Sequence, residues 1–145
     1  MNYEEYEAKC EEIRKANEEL LDLFEEDIKS LSLKTRRQHR NNVEFFLNDY
    51  LLRQEPQTFD YGIININDFL GYFFIRKCTW STPASIKQTA ASIKKFYKSM
   101  EAHGKIGHAD YETLCDTIKC EMPQWLADCE QYNDPSAEDP FWIEF

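Results

Sequence analysis

The chain has 145 residues and a formal net charge of −10, with 42% hydrophobic and 14% aromatic residues. These values favour one globular domain, because a chain of this size buries roughly 70% of its unfolded surface. No apolar run approaches the ~18 residues of a membrane span, and the charged start resembles no signal peptide. The five cysteines are odd in number and irregularly spaced, unlike a secreted disulfide framework. We therefore expect a soluble, cytoplasmic protein with reduced thiols.

The charge changes sign along the chain. Residues 1–28 carry a net −8, residues 29–105 carry +7 and residues 106–145 carry −9. A basic centre between two acidic arms is typical of a protein that contacts a polyanion with one part. We divide the chain accordingly into an acidic N-terminal helix (1–29), a central helical domain (30–107), and acidic C-terminal helices with an aromatic tail (108–145).

The first half of the chain predicts three helices. Apolar residues at helical spacing indicate a first helix over residues 3–28. Ser30 or Ser32 caps a second helix that continues to about residue 53, before a proline. A third, short helix covers residues 67–77, with Asn65 or Asn67 as cap. The preceding YGIINI (61–66) looks partly like a strand, but we interpret it as a buried connector.

The second half has the clearest helix start. Ser81 and Thr82 precede a proline, which favours the first helical position, and this fourth helix ends at Gly104. A fifth helix is predicted over residues 111–120 and a last one over 123–132. The fold class is therefore all-α, a compact bundle of four to five helices with an acidic N-terminal helix and a C-terminal helical extension. Its predicted core includes Val43, Phe46, Leu47, Tyr50, Phe69, Ile86, Ile93 and Tyr97.

The basic stretch KTRRQHR (34–40) divides between two faces of the second helix. At 100° per residue, Lys34, Arg37 and Asn41 lie opposite the core face. Arg36 and Arg40 lie nearer the core, where each side chain extends to the edge or pairs with a carboxylate.

A lysine stripe follows the fourth helix on the same analysis. Lys87, Lys94 and Lys98 share one flank, and Lys95 lies further out. Ser81 and Thr82 begin this helix, where hydroxyl groups and free backbone N–H groups suit a phosphate oxygen. A lysine flank is more often a plain solvated face, but two basic helices in one segment favour a phosphate partner.

The order of elements in the central half of the chain follows a known pattern, from "LSLKTRRQHRNNVEFFLNDYLL" through "INDFLGYFF" to "STPASIKQTAASIKKFYKSMEAHGKI". This run resembles the N-terminal, SAM-like core-binding domain of the tyrosine recombinase (phage integrase) family. In that family the domain forms half of a clamp around duplex DNA. The resemblance implies DNA contacts by these residues: Lys34, Arg37, Asn41, Ser81, Thr82, Lys87, Lys94 and Lys98.

The chemistry of that family is not expected here. Its catalytic domain supplies several arginines, a histidine and a tyrosine nucleophile, whereas the residues after Gly104 include no arginine. We therefore expect a non-catalytic protein without a cofactor, either a fragment of a recombinase or a stand-alone chain.

Other constellations are weaker. Cys115 and Cys120 are five residues apart on a predicted helix and so point to different faces, and eight residues separate Cys120 from Cys129, which does not make a zinc knuckle. His103 and His108 lie at a helix end, where they suit the helix dipole. We therefore expect no metal. The terminal FWIEF, with Phe141, Trp142 and Phe145, either folds back on the domain or docks on a protein partner.

The leading hypothesis is a DNA-binding helical domain of the recombinase type, which contacts the phosphate backbone of duplex DNA. The alternative is a protein-interaction module that uses the acidic arms and the aromatic tail. In a third interpretation, the arms fold over the basic face and mask it.

Overall fold

Every regular element in the described part of the chain, residues 1–136, is helical in this computed structural model. The predicted all-α class is confirmed. Phe141, Trp142 and Phe145 lie outside the described residues. The α-helices are α1 (Tyr3–Asp27), α2 (Leu33–Glu44), α3 (Gly62–Asp68), α4 (Phe74–Lys77), α5 (Pro83–Ala102) and α6 (His108–Asn133).

Two π-helical segments interrupt this pattern. One, Phe45–Tyr50, continues α2, and the other, Phe69–Phe73, joins α3 to α4. They pack against each other through aromatic rings, with centroids 4.6 Å apart for Phe46 and Phe69 and 4.9 Å apart for Tyr50 and Phe69. A π-turn contains one more residue than an α-turn, which changes the direction of the side chains that follow it. In this protein the aromatic rings of the two π-helical segments contact each other.

Local side-chain chemistry sets the starts of α2 and α5, as the sequence predicted. The Ser32 hydroxyl accepts a hydrogen bond from the Thr35 backbone N–H. Thr82 and Ser85 form a reciprocal capping box with Pro83 at the first helical position, an arrangement that satisfies two free donors. After α5, Gly104 has a φ of 71°, which only glycine adopts without strain.

Two predicted boundaries are wrong. YGIINI is not a connector, because α3 already begins at Gly62, ahead of the predicted caps. The predicted fifth and last helices are one helix, α6, which passes through Pro123. Pro123 is exposed, so water can solvate the carbonyl that loses its helical hydrogen bond.

The main apolar cluster includes residues of every α-helix named above, and a second, small cluster packs Cys10 and Ile13 of α1 with Leu52. The predicted core residues are all buried, and helices from both acidic arms extend this core. Phe24 of α1 meets Phe96 of α5 edge to face at 5.6 Å. Trp125 of α6 is 1% exposed, and its indole N–H donates to the Asn67 side-chain oxygen at 2.7 Å. None of the helices described is both long and apolar enough to cross a bilayer.

Candidate nucleic-acid interface

The basic stretch 34–40 serves two purposes in the structure. Arg40 faces α1, where its guanidinium lies 2.6 Å from Glu18, 3.0 Å from Asp22 and 3.2 Å from Glu25. Its side chain is only 15% exposed. The prediction that Arg40 lies near the core and pairs with a carboxylate is confirmed, and this charge is neutralised within the protein.

Lys34, Arg37 and Asn41 lie on the other side of α2 and are exposed. Together with Leu33, Gln38 and Asn42 they line a shallow groove open to solvent. Neither Lys34 nor Arg37 forms an ion pair with a carboxylate of residues 1–136. Their charges are therefore available to a partner.

On α5, Lys87, Lys94, Lys95 and Lys98 are likewise exposed. The part of the chain that is described offers none of them a carboxylate as ion-pair partner. The exposed Ala91 lies among these lysines, so little bulk keeps another molecule away from this surface.

Polar side chains connect α2 to α5. The Gln38 amide donates to the Gln88 side-chain oxygen at 3.0 Å, and this bond is exposed. Deeper in the contact, Ser92 Oγ lies 2.8 Å from His39 Nδ1 and accepts from Asn42 Nδ2 at 3.0 Å. The exposed sides of the two helices therefore adjoin. We call the following residues the basic face: Lys34, Arg37, Asn41, Lys87, Lys94, Lys95 and Lys98.

The pKa of His39 is affected by the positive charge near this contact. Burial, and then the positive charge of Lys95, lower the pKa of His39 from its usual value of 6.5. Lys95 follows Ser92 by three residues and Gln88 by seven, and both of those side chains meet α2, so Lys95 lies on the side of α5 that adjoins α2. The sequence did not single out Lys95 for the interface.

The start of α5 offers less to an anion than the sequence suggested. Ser81 is 3% exposed, and its hydroxyl donates to the carbonyl of Ile75 at 3.2 Å. Thr82 is exposed, but its backbone N–H donates to Ser85 Oγ and its hydroxyl accepts from the Ser85 N–H. Ser81 is therefore not part of the face, and the backbone N–H of Thr82 and the acceptor site of its hydroxyl are used within the capping box.

One sequence signal would have identified the face more directly. There is no Asp or Glu from Leu33 to Val43, nor from Phe69 to Met100, although the protein as a whole is acidic. Carboxylates are missing from the exposed positions of α2 and α5 up to Glu44 and Glu101. This signal includes Lys95, which the stripe on α5 left out.

The remaining candidate residues have structural partners. His103 Nε2 lies 2.9 Å from an Asp27 carboxylate oxygen, and His108 lies between Glu101 and Glu112 at 2.6 and 2.9 Å. Residues 1–136 contain no group of three or more His, Cys, Asp or Glu side chains placed to hold a metal ion. The cysteines of this range are unpaired, and burial raises the pKa of the Cys78 thiol to about 11, which keeps it protonated and unreactive.

No protein-family model matches the chain, and no curated protein or solved structure matches it either. The resemblance to the recombinase core-binding domain thus stays a prediction that depends on the residues quoted above.

Proposed function

We propose that this protein is a non-catalytic DNA-binding domain, which contacts the phosphate backbone of duplex DNA through the basic face on α2 and α5. The function is of the kind that the recombinase core-binding domain performs, without the cleavage and joining of strands. The expected contacts are electrostatic, because lysine ammonium groups position a phosphate backbone but carry little information about base sequence.

One observation carries the proposal. Six exposed cations lie on two adjoining helices of a protein with a net charge of −10. The two helices are joined through the Gln38–Gln88 hydrogen bond. None of the six cations has a carboxylate partner within residues 1–136. Carboxylates are plentiful elsewhere in the chain, but none occurs in residues 33–43 or 69–100, so positive charge is concentrated on this face with no carboxylate in these stretches of the two helices.

The first test is the salt dependence of duplex binding. Each neutralised phosphate releases condensed counterions, so the logarithm of the association constant falls linearly with the logarithm of salt concentration. With about five of the six cations engaged, the slope should be about −4 to −5. Fluorescence anisotropy of a labelled duplex between roughly 50 and 200 mM salt measures it.

A pair of charge reversals locates the contact. Lys94→Glu should weaken binding to all duplex sequences alike and make the salt slope shallower by about one or more. Lys15→Glu is the matched control, because Lys15 is also an exposed lysine but lies on acidic α1. Both variants should retain the parental melting temperature, since surface substitutions rarely matter for stability. Equal affinity of Lys94→Glu and parent, or no duplex binding by the folded parent at low salt, would reject the proposal.

A second surface favours the alternative, a protein-interaction module. Tyr72 and Tyr132 are 51% and 44% exposed, and the Arg76 guanidinium lies 4.2 Å and 5.6 Å from their ring centroids. Tyrosine and arginine are enriched where proteins meet. Binding of a protein partner there should be insensitive to Lys94→Glu and weakened by Tyr72→Ser, the reverse of what duplex binding by the basic face would show.

A further inference from the structure

Trp80 is a large aromatic side chain left on the surface. It is 57% exposed, in the segment between α4 and α5. Its ring packs at steep angles against Phe45 (5.8 Å, 65°) and Phe74 (6.3 Å, 81°). The indole is therefore held by its neighbours, while no aromatic ring of residues 1–136 stacks parallel to it. An indole face of this kind can take a flat ligand.

Trp80 also lies at one end of the basic face. Phe45 comes four residues after Asn41, one helical turn along the same side of α2 and its π-helical continuation. The Trp80 carbonyl accepts a hydrogen bond from Ser85 Oγ at 3.4 Å, in the first turn of α5. The indole thus contacts the continuation of α2 through Phe45, and the backbone of Trp80 is bonded to the first turn of α5.

The charged residues near Trp80 indicate the chemical class of the ligand that its indole binds. No Asp or Glu occurs between Phe69 and Met100, whereas the exposed Lys77 and Lys87 lie within seven residues of Trp80 on either side. An open aromatic face next to cations suits a nucleotide, because the base stacks while the phosphate meets the positive charge. In an intact duplex, stacked base pairs hide both faces of every internal base, so the base that Trp80 takes has to be unpaired.

We propose that Trp80 stacks on an unpaired base, and that the preferred ligand is duplex DNA with a single-stranded extension. The duplex part occupies the basic face and the first base of the extension lies on the indole. This inference rests on the proposed function, since both use the same face, and it adds the class of DNA that the protein selects.

The test compares three DNAs with the full chain: a blunt duplex, the same duplex with a short thymine extension, and the same duplex with an abasic extension of equal charge. The parent should bind the thymine extension about 5- to 150-fold more tightly than the abasic one, the value of one stacked base. Trp80→Leu should abolish this preference and leave the affinities for the blunt and abasic DNAs unchanged.

Two further variants control for side effects. Tyr3→Leu removes another strongly exposed aromatic, 75% exposed at the start of acidic α1, and should keep the full preference. Trp80→Phe should keep part of it, because a smaller aromatic face remains. Thermal unfolding shows whether each variant is folded, and the Trp80→Phe variant serves the comparison if Trp80→Leu does not fold.

The outcomes separate the two proposals. If the parent binds the blunt duplex with the expected salt slope but does not distinguish thymine from abasic extensions, the stacking proposal is wrong and the backbone proposal stands. The same holds if the folded Trp80 variants keep the whole preference, or if Tyr3→Leu loses it equally. If the parent binds none of the three DNAs, the basic face itself is wrongly assigned.

Discussion

His39 lies where α2 meets α5, with its Nδ1 atom 2.8 Å from Ser92 Oγ. Burial and the Lys95 charge disfavour its protonation in the folded protein, whereas in the unfolded chain it titrates near its usual pKa. A histidine with a lowered pKa stabilises the fold at pH values above the unfolded value of 6.5. That contribution is lost as the pH falls below 6.5 towards the pKa of the folded state, because the unfolded chain then binds more protons.

The lowered pKa of His39 can be tested directly by NMR. NMR titration of His39 should give a pKa below 6.5, and Lys95→Gln should raise it because one of the two causes is removed. Lys94→Gln, one position along and not among those causes, should leave it unchanged. Equal titration curves for His39 in the parent and in Lys95→Gln would mean that Lys95 does not face α2.

Helix α6 packs on α3 and its π-helical continuation, and the Trp125 ring of α6 lies close to the backbone at Gly71. A Cβ added at Gly71 would lie 2.7 Å from Trp125 Cδ1 and 2.8 Å from its Nε1, both shorter than van der Waals contact. Glycine therefore allows the indole to approach the backbone and to donate to Asn67. The buried Trp125 is the largest fully buried side chain of the described core.

We expect Gly71→Ala to lower the free energy of unfolding by about 1–3 kcal/mol, through overpacking. Alanine has the higher helix propensity, by up to about 1 kcal/mol, so the sign of the change tests the contact. The cost should shrink in a Trp125→Leu background, where the ring no longer opposes the added methyl group. Denaturant unfolding of the four proteins measures this coupling, and an unchanged cost in both backgrounds would mean that the two residues do not meet.

Helix starts were predictable where local chemistry decides them. Ser32 and the Thr82–Ser85 box satisfy backbone donors within three residues, so the sequence window contains the whole cause. The start of α3 has no side-chain cap. At Gly62, an added Cβ would clash with the Tyr97 hydroxyl and lie 2.7 Å from Phe46 Cε2. The start of α3 therefore depends on packing partners more than ten residues away in sequence. Local sequence patterns do not reveal such partners.

At the scale of the whole molecule, the acidic arms belong to the same core as the basic centre. Leu21 and Phe24 of α1 and Leu114 and Trp125 of α6 are buried in one cluster with the core of α2 and α5. The division at residues 29 and 107 was drawn from charge alone, and the hydrophobic cluster crosses both boundaries. Charge patterning reports on solvent-facing positions, so it could not show this.

An excised centre should therefore be unstable. We expect residues 29–107 alone to show no cooperative thermal transition by circular dichroism, whereas the full chain should unfold in one, because removing several large buried side chains costs roughly 3–5 kcal/mol each and a domain has only about 5–15 to lose. A sharp transition in the excised segment would contradict this view. A masking role for the arms is consequently better tested by neutralising their carboxylates than by truncation.

The basic face was largely predictable as a set of charges, since helical spacing alone places Lys34, Arg37, Lys87, Lys94 and Lys98 outward. The contact between α2 and α5, which places these charges side by side, could not be predicted from the sequence. The pairing of Gln38 with Gln88 spans fifty residues, and Trp80 meets Phe45 across thirty-five. The burial of Ser81, likewise, depends on the Ile75 carbonyl and on Asn133, whose side-chain amide donates to the Ser81 carbonyl.

The sorting of charge onto separate faces also affects how the molecule meets a polyanion. Beyond a Debye length, about 8 Å at physiological ionic strength, the charges of the protein are largely screened, so an approaching phosphate chain experiences little force from the net −10. Only at closer range, and only in orientations that present α2 and α5, does attraction prevail. Capture should thus depend on close encounters in which α2 and α5 face the phosphates, whereas close encounters with the acidic arms are repulsive and end in separation.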